Sequence, residues 1–293
     1  MNIEAKRIIK PTEYRETRRT ETPAWPLLVD RQTLGRVIEA PAVSRESPTA
    51  LRYLNVIRPR EPSRITVQIA STPALMETVY RLRHDSYVAQ GFLEPRVSGL
   101  FSDTWDELPH CFSMLSFVDG EPAASVRISH CQPAAPRGER TETTAMELFK
   151  PEIENLAESF RAASRPATVM EMSRLTRHPD FSESNSDPMF GIFRANFYCL
   201  LKTEADMLIS AVRAHHMPFY KRLGFQKITE PRPYPKLKFE TALMACFRHS
   251  YDAIQNSIPI FQGIDKNDSV YDRLFAGERV GIFDEMPARR EGR

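Results

Sequence analysis

The stretch Ile65-Thr66-Val67-Gln68-Ile69-Ala70-Ser71-Thr72-Pro73 divides the chain into two parts of different character. Its first six residues alternate with period two and are rich in β-branched side chains, the pattern of a strand with one buried face. Ser71 and Thr72 offer a side-chain cap, and Pro73 suits a first helical turn, where an N–H would go unused. The chain is therefore predicted to pass from strand to helix, with Leu75, Val79 and Leu82 on the buried stripe. Tyr80, Arg83 and Tyr87 fall on a second face, Arg83 and Tyr87 being four apart and so side by side. Gly91 is expected to end the helix.

Upstream of this stretch, residues 1–64 hold 7 of the 23 prolines and carry 13 Lys+Arg against 8 Asp+Glu, a local charge of +5, while the rest of the chain sums to −3. That composition reads as a basic, proline-rich arm, partly irregular. It is either an interaction element or a solvated leader with one short amphipathic stretch from Leu27 to Ile38. The whole chain has 293 residues, 41% hydrophobic and 27% charged, with a net charge of +2. This is an ordinary globular composition, which excludes collagen-like and disulfide-stapled classes, and the charge does not mark a nucleic-acid binder. No run of about 18 apolar residues is present, so no membrane span is expected. The first twenty residues lack the apolar stretch of a signal peptide, and Cys111, Cys131, Cys199 and Cys246 form no CxxC pair. A cytoplasmic protein with buried, reduced thiols is expected.

Downstream, Cys111 to Val118 and Pro122 to Ile128 read as strands joined by Asp119-Gly120, a signal for a type I′ hairpin. Met146 to Ala163 reads as helix, Thr168 to Thr176 as strand, Asp187 to Lys202 as helix and Met207 to Val212 as strand. Met217 to Leu223 is a short helix closed by Gly224, followed by strands at Phe225 to Ile228 and Phe239 to Arg248. The predicted order β, α, β, β, α, β, α, β, α, β, β is an α+β arrangement, a mixed sheet with helices on its faces. Three segments are expected: the arm at 1–64, a domain at 65–248 and a C-terminal extension at 249–293.

This order, with His216-Met217-Pro218-Phe219-Tyr220-Lys221-Arg222-Leu223-Gly224-Phe225, resembles the GNAT acyltransferase fold. The run Val79-Tyr80-Arg81-Leu82-Arg83-His84-Asp85-Ser86-Tyr87-Val88 is similar to the opening helix of the N-acyl amino acid synthases, the GNAT branch related to acyl-homoserine-lactone autoinducer synthases. Seven polar positions match in chain order: Arg83 and Tyr87, Asp103 and Asp106, Arg127, then Glu171 and Arg174. The resemblance covers roughly residues 66 to 248. It implies a mostly antiparallel central sheet flanked by helices. It also implies transfer of a long-chain acyl group from acyl carrier protein to the α-amino group of an amino acid or related amine, with no metal and no tightly bound cofactor. The co-substrate would be the acyl-phosphopantetheine thioester of the carrier.

The residues also bear on this chemistry directly. Making an amide from a thioester needs a neutral amine, a proton acceptor, and stabilisation of the oxyanion and thiolate. Glu171, in Val169-Met170-Glu171-Met172, is the candidate base, because burial raises a carboxyl pKa; paired with Arg174 or Arg83 it would instead be a structural ion. In an ideal strand positions 171 and 174 face opposite sides, so both reach one cleft only across a bulge, which the resemblance implies. Asp103 and Asp106 could grip the substrate ammonium or anchor Arg83 and Arg127. Arg127, inside Ser125-Val126-Arg127-Ile128, requires a carboxylate partner. Tyr220 is either an acid for the leaving thiol, as the resemblance suggests, or a core tyrosine beside Phe219. His215-His216 are read as diverging on a helix, and His84-Asp85 as helix surface.

The donor is read from charge. Arg177 to Pro188 contains no glycine and carries Asp180, Glu183 and Asp187, which suits pyrophosphate poorly. Between Arg213 and Lys238 seven basic groups, including Arg213, Lys221 and Arg222, face Glu230 alone, a docking patch for an acidic carrier or else a solvated basic face. The alternatives to carrier-dependent transfer are a coenzyme A-dependent N-acetyltransferase and a silent GNAT-like module that binds an acyl chain or a protein. Contact with a membrane surface would be loose and through the product.

Overall fold

The computed structural model describes residues 65–135, 140–160, 165–181, 187–234, 238–265, 267 and 269–283. The arm at 1–64 lies outside the described residues. The elements in chain order are β1 (Ile65–Ile69), α1 (Pro73–Ala89), β2 (Cys111–Val118), β3 (Glu121–Cys131), α2 (Met146–Ser159), β4 (Val169–Arg177), α3 (Asp187–Lys202), β5 (Met207–Val212), α4 (Met217–Arg222), β6 (Gln226–Lys227), β7 (Arg232–Pro233), β8 (Glu240–Phe247), α5 (Tyr251–Ser257), α6 (Val270–Phe275) and β9 (Val280–Gly281). Local signals account for the boundaries. Thr72 Oγ1 accepts from Leu75 N at 3.3 Å to cap α1. Asp119 and Gly120 both have positive φ, 54° and 93°, as a type I′ hairpin requires.

The strands form one sheet in the order β6-β8-β5-β4-β3-β2-β1-β9, with β7 paired to β8. Its pairings are antiparallel except that of β4 with β5. That parallel register runs Val169↔Met207, Met170↔Leu208, Glu171↔Ile209 and goes no further, while β5 continues against β8 to Val212↔Ala242. Beyond Glu171 the two strands part, and a pocket occupies the fork.

Helices cover both faces. Val79 and Leu82 of α1 pack with Leu115 and Phe117, and Phe149, Ile153 and Ala157 of α2 pack on Val169, Met207, Ile209, Leu243 and Ala245. On the opposite face, a Cβ at Gly191 of α3 would lie 2.9 Å from Ile65 Cγ2 and 3.3 Å from Ser116 Oγ, so only glycine lets this helix sit so close to β1 and β2. The segment after β8 folds onto α3 and ends as β9 beside β1. Its anchor is Arg194, fully buried in α3, which donates to the carbonyls of Ile282 (2.7 Å), Ile260 (2.6 Å) and Gln262 (2.9 Å). The four cysteines are buried free thiols.

Candidate active site

A short spacing organises the acidic pair. Thr104–Glu107 forms one 3₁₀ turn with Asp103 as its cap: Asp103 Oδ1 accepts from Trp105 N at 3.1 Å and Asp106 Oδ2 accepts from Asp103 N at 3.0 Å. This reciprocal box fixes both carboxylates toward the sheet. Arg83, rising from α1, donates to both oxygens of Asp106 at 2.8 and 2.9 Å and to Ser113 at 2.9 Å. Arg127, from β3, reaches Asp103 at 2.5 Å, Asp106 at 3.2 Å, Thr144 at 2.7 Å and Ser173 at 3.3 Å. Arg174 donates twice to Asp103 Oδ2, at 3.1 and 2.7 Å. Asp103 and Asp106 thus pair with Arg83, Arg127 and Arg174.

Arg174 reaches this face because β4 bulges. The register with β3 passes from Arg127↔Ser173 to Ser125↔Thr176, one residue extra on β4. Arg174 takes up the excess with φ 52°, a left-handed conformation costly for an arginine and held here by its ion pair. Strand alternation would have sent it toward α3; the bulge turns it to the side of Glu171 and Arg127. Its Nη1 has no hydrogen bond to the described residues, and its guanidinium lies 5.4 Å from the Phe101 ring centroid and 5.8 Å from that of Tyr234. Tyr87 packs on Phe101 at 5.3 Å.

Electrostatics follows the count of partners. Burial lowers the Arg83 guanidinium further than its one aspartate, Asp106, restores it. Burial acts on Arg127 too, but Asp103 and Asp106 together outweigh it, and its pKa is raised. Asp103 is held below the usual carboxylate value: burial works against this, and Arg127 and Arg174 overcome it. Glu171 goes the other way. Burial raises its pKa, and Arg127, the Thr143 hydroxyl and the N–H groups of Thr144 and Ala145 offset only part of the rise. Its Oε1 accepts from Ala145 N at 3.0 Å, whereas buried Oε2 has no well-formed hydrogen bond.

The pocket in the fork is lined by Glu171 and Arg174 from β4, Ser210 from β5 and Arg213 just past its end, Tyr87 from α1 and Tyr220 from α4. Tyr220 is buried against Phe193 and Phe225, at 5.3 and 5.1 Å between centroids. Burial pushes its hydroxyl up, opposed by Ser210 and Arg213. Lys221 and Arg222, the next residues on α4, are exposed. Arg213 is instead half-buried in the pocket wall, 4.4 Å from the Phe92 centroid and 5.5 Å from that of Phe239. The remaining basic groups of that segment are committed: Lys227 to Glu230, Arg232 to Glu152 and Lys238 to Glu94, while Lys236 lies outside the described residues.

Two histidine readings change. His84 is buried, with Nδ1 2.8 Å from Asp85 and Nε2 accepting from Arg96 N at 3.1 Å, so it pins the chain after α1 and is not helix surface. His215 and His216 occupy a 3₁₀ turn, Ala214–His216, and their rings lie 4.0 Å apart, not splayed as on an α-helix. Among the described residues no group of three or more His, Cys, Asp or Glu could hold a metal ion. The sequence reading also missed Tyr234, Phe92, Phe239 and Arg194. Only the Asp103-x-x-Asp106 spacing carried a readable signal, that of a capping box.

The mixed sheet forks between its parallel strands, helices cover both faces and buried charged groups lie beside the fork, an arrangement that belongs to an N-acyltransferase. The family described as N-acyl amino acid synthase FeeM matches residues 78–246, and the chain belongs to that family. Among solved structures, FeeM, an N-acyl amino acid synthase from uncultured soil microbes, is similar with a TM-score of 0.53 and 16% identity, covering 65% of this chain and 94% of that one. The AHL synthase LasI is similar with a TM-score of 0.45 and 19% identity, over 62% and 90% of the two chains. A CoA-dependent acyl-homoserine lactone synthase, BjaI, gives 0.44 and 18% over 66% and 88%. No curated protein sequence matches the chain. No described helix is long and apolar enough to cross a membrane.

Proposed function

We propose that this N-acyltransferase moves a long-chain fatty acyl group from acyl carrier protein to the α-amino group of an amino acid. The observation that carries this reading is the juxtaposition of Glu171 and Arg174 at one pocket, across the bulge. Arg127 and Arg83 are spent on Asp103 and Asp106, whereas Nη1 of Arg174 has no hydrogen bond to the described residues. Three arginines against two aspartates leave one positive charge whenever Glu171 is protonated. An amino acid suits this pair: its carboxylate meets Arg174 and its amine, once the ammonium has released a proton to solvent, meets ionised Glu171 at Oε2.

In the reaction, the neutral amine attacks the thioester carbon and its surplus proton passes to Glu171, whose raised pKa suits a base working near neutrality. As the tetrahedral intermediate collapses, the C–S bond breaks, its electron pair goes to sulfur, and the Tyr220 hydroxyl supplies the thiol proton. The protons then re-equilibrate through solvent, from Glu171 outward and back to Tyr220. Exposed Lys221 and Arg222 beside this wall suit an acidic carrier surface.

The test is incubation of the full chain with palmitoyl carrier protein or, in parallel, palmitoyl-coenzyme A, and a mixture of amino acids and amines without a carboxylate, with mass spectrometry of the products. N-palmitoyl amino acids are the expected result. Acylation confined to amines without a carboxylate, or equal use of palmitoyl-coenzyme A, overturns the acceptor or the donor assignment respectively.

A further inference from the structure

The wall of the pocket contains a cation that the mechanism above does not use. Arg213 stands just past the end of β5, and one of its nitrogens, Nη2, holds two elements at once: it donates to Gln90 Oε1 at the end of α1, at 3.0 Å, and lies 2.8 Å from His216 Nε2 at the start of α4. The guanidinium lies over the rings of both Phe92, in the chain after α1, and Phe239, in the chain before β8, and those rings meet edge to face at 5.0 Å. Outside this clamp, the ion pair of Lys238 with Glu94, at 2.9 Å, joins the same two segments. Nε and Nη1 of Arg213 have no hydrogen bond to the described residues, although Arg213 lines the pocket together with Tyr220.

We infer that Arg213 is a positioning residue for proton delivery to the departing thiol: a cation fixed by Phe92 and Phe239 beside Tyr220, which stabilises the negative charge left on the phenol as its proton moves to sulfur. The inference rests on Tyr220 being the acid, as proposed above. His216 is suited to its part, because burial together with Arg213 and His215 pulls its pKa to about 4, which leaves the ring neutral at neutral pH and able to accept from the guanidinium. Tyr220 is pushed up by burial, and Ser210 and Arg213 are the two groups that draw it back. The clamp draws on three parts of the chain: the end of α1 with Phe92, the start of α4, and Phe239. Stacking also explains why an arginine half-removed from water is retained here.

Dependence on the leaving group tests this, since a merely structural residue slows all donors alike. Wild type, Arg213→Met, Arg213→Lys and Tyr220→Phe are compared with palmitoyl-pantetheine, whose alkyl thiol needs a proton to leave, and with the palmitoyl thioester of thionitrobenzoate, which leaves as a stable aryl thiolate. Circular dichroism melts establish folding, and the acceptor is an amino acid mixture. Arg213→Met is expected to lose about 100-fold in kcat with the pantetheine donor and less than about threefold with the aryl donor. Arg213→Lys should recover part of the loss. Tyr220→Phe should show the same pattern, and the double variant no further loss, because both act on one proton. If Tyr220→Phe discriminates between donors and Arg213→Met does not, the inference fails and the acid assignment stands. If Tyr220→Phe is itself indifferent to the leaving group, the acid assignment fails and the inference with it.

Discussion

Asp103 and Asp106 sit three residues apart in one capping box, yet their removal should have opposite consequences. Asp106 has a 1% exposed side chain and is, among the described residues, the carboxylate paired with Arg83, which is itself fully buried. Asp106→Asn leaves the Arg83 cation with Ser113 as its remaining acceptor among the described residues and weakens one arm of Arg127. Removing one partner of a buried ion pair costs about 3–5 kcal/mol, a large part of the stability of an ordinary domain. Asp103 is 22% exposed, and Arg127 keeps Asp106, Thr144 and Ser173 without it, so Asp103→Asn should cost only about 1–2 kcal/mol. Its functional effect is the larger one. Asp103 supplies both hydrogen bonds that hold Arg174 in its left-handed conformation. Loosening them should raise KM for the amine about tenfold, with a smaller change in kcat. Urea unfolding followed by circular dichroism and steady-state kinetics on both variants measure the two quantities. Asp103→Asn proving the more destabilising, or Asp106→Asn costing under about 1 kcal/mol, would refute the assignment of Asp106 to the scaffold and Asp103 to the site.

Three further outcomes are expected. Glu171→Gln should fold and lose about 100-fold in acyl transfer, and wild-type activity should fall as pH drops through a Glu171 pKa above the ordinary 4.5. Because that folded-state pKa is raised, the wild-type protein binds more protons than its unfolded chain across this window and loses stability as pH rises through it. Glu171→Gln should therefore gain on wild type in unfolding midpoint at the upper end, and an unchanged difference between pH 4 and 8 counts against a buried, proton-binding Glu171. Transfer from carrier protein should weaken steeply on raising salt to ~0.5 M, where the Debye length is roughly 4 Å. Lys221→Glu with Arg222→Glu should mimic that effect and spare a neutral pantetheine thioester; carrier kinetics indifferent to both would exclude these residues from docking. Arg194→Met strips the carbonyls of Ile260 and Ile282 of their buried donor and should cost about 3 kcal/mol. It should also make residues 258–283 sensitive to limited proteolysis, and a wild-type digestion pattern would contradict the anchor.

Much of the fold was readable because it is written in local interactions. The Asp119-Gly120 hairpin, the Thr72-Pro73 start of α1 and the strand limits Cys111–Val118 and Met207–Val212 follow from turn chemistry and period-two alternation, which act over a few residues. The charged positions could also be found, since a buried arginine such as Arg127 demands a carboxylate somewhere. Which carboxylate, and what remains for the substrate, depended on contacts between distant segments. Only the packed sheet decided that Arg83 takes Asp106, that Arg127 shares both aspartates, and that Glu171 is left with an unsatisfied oxygen and a raised pKa. The bulge was anticipated as a condition, but its place at Arg174 is set by pairing with β3 and by Asp103, 71 residues away in sequence. The Arg213 clamp unites positions 90, 92, 216 and 239, and Arg194 holds carbonyls 66 to 88 residues downstream. Neither leaves a periodic trace, because a side chain that is charged in sequence and stacked or capped in space has no local signature of its partners.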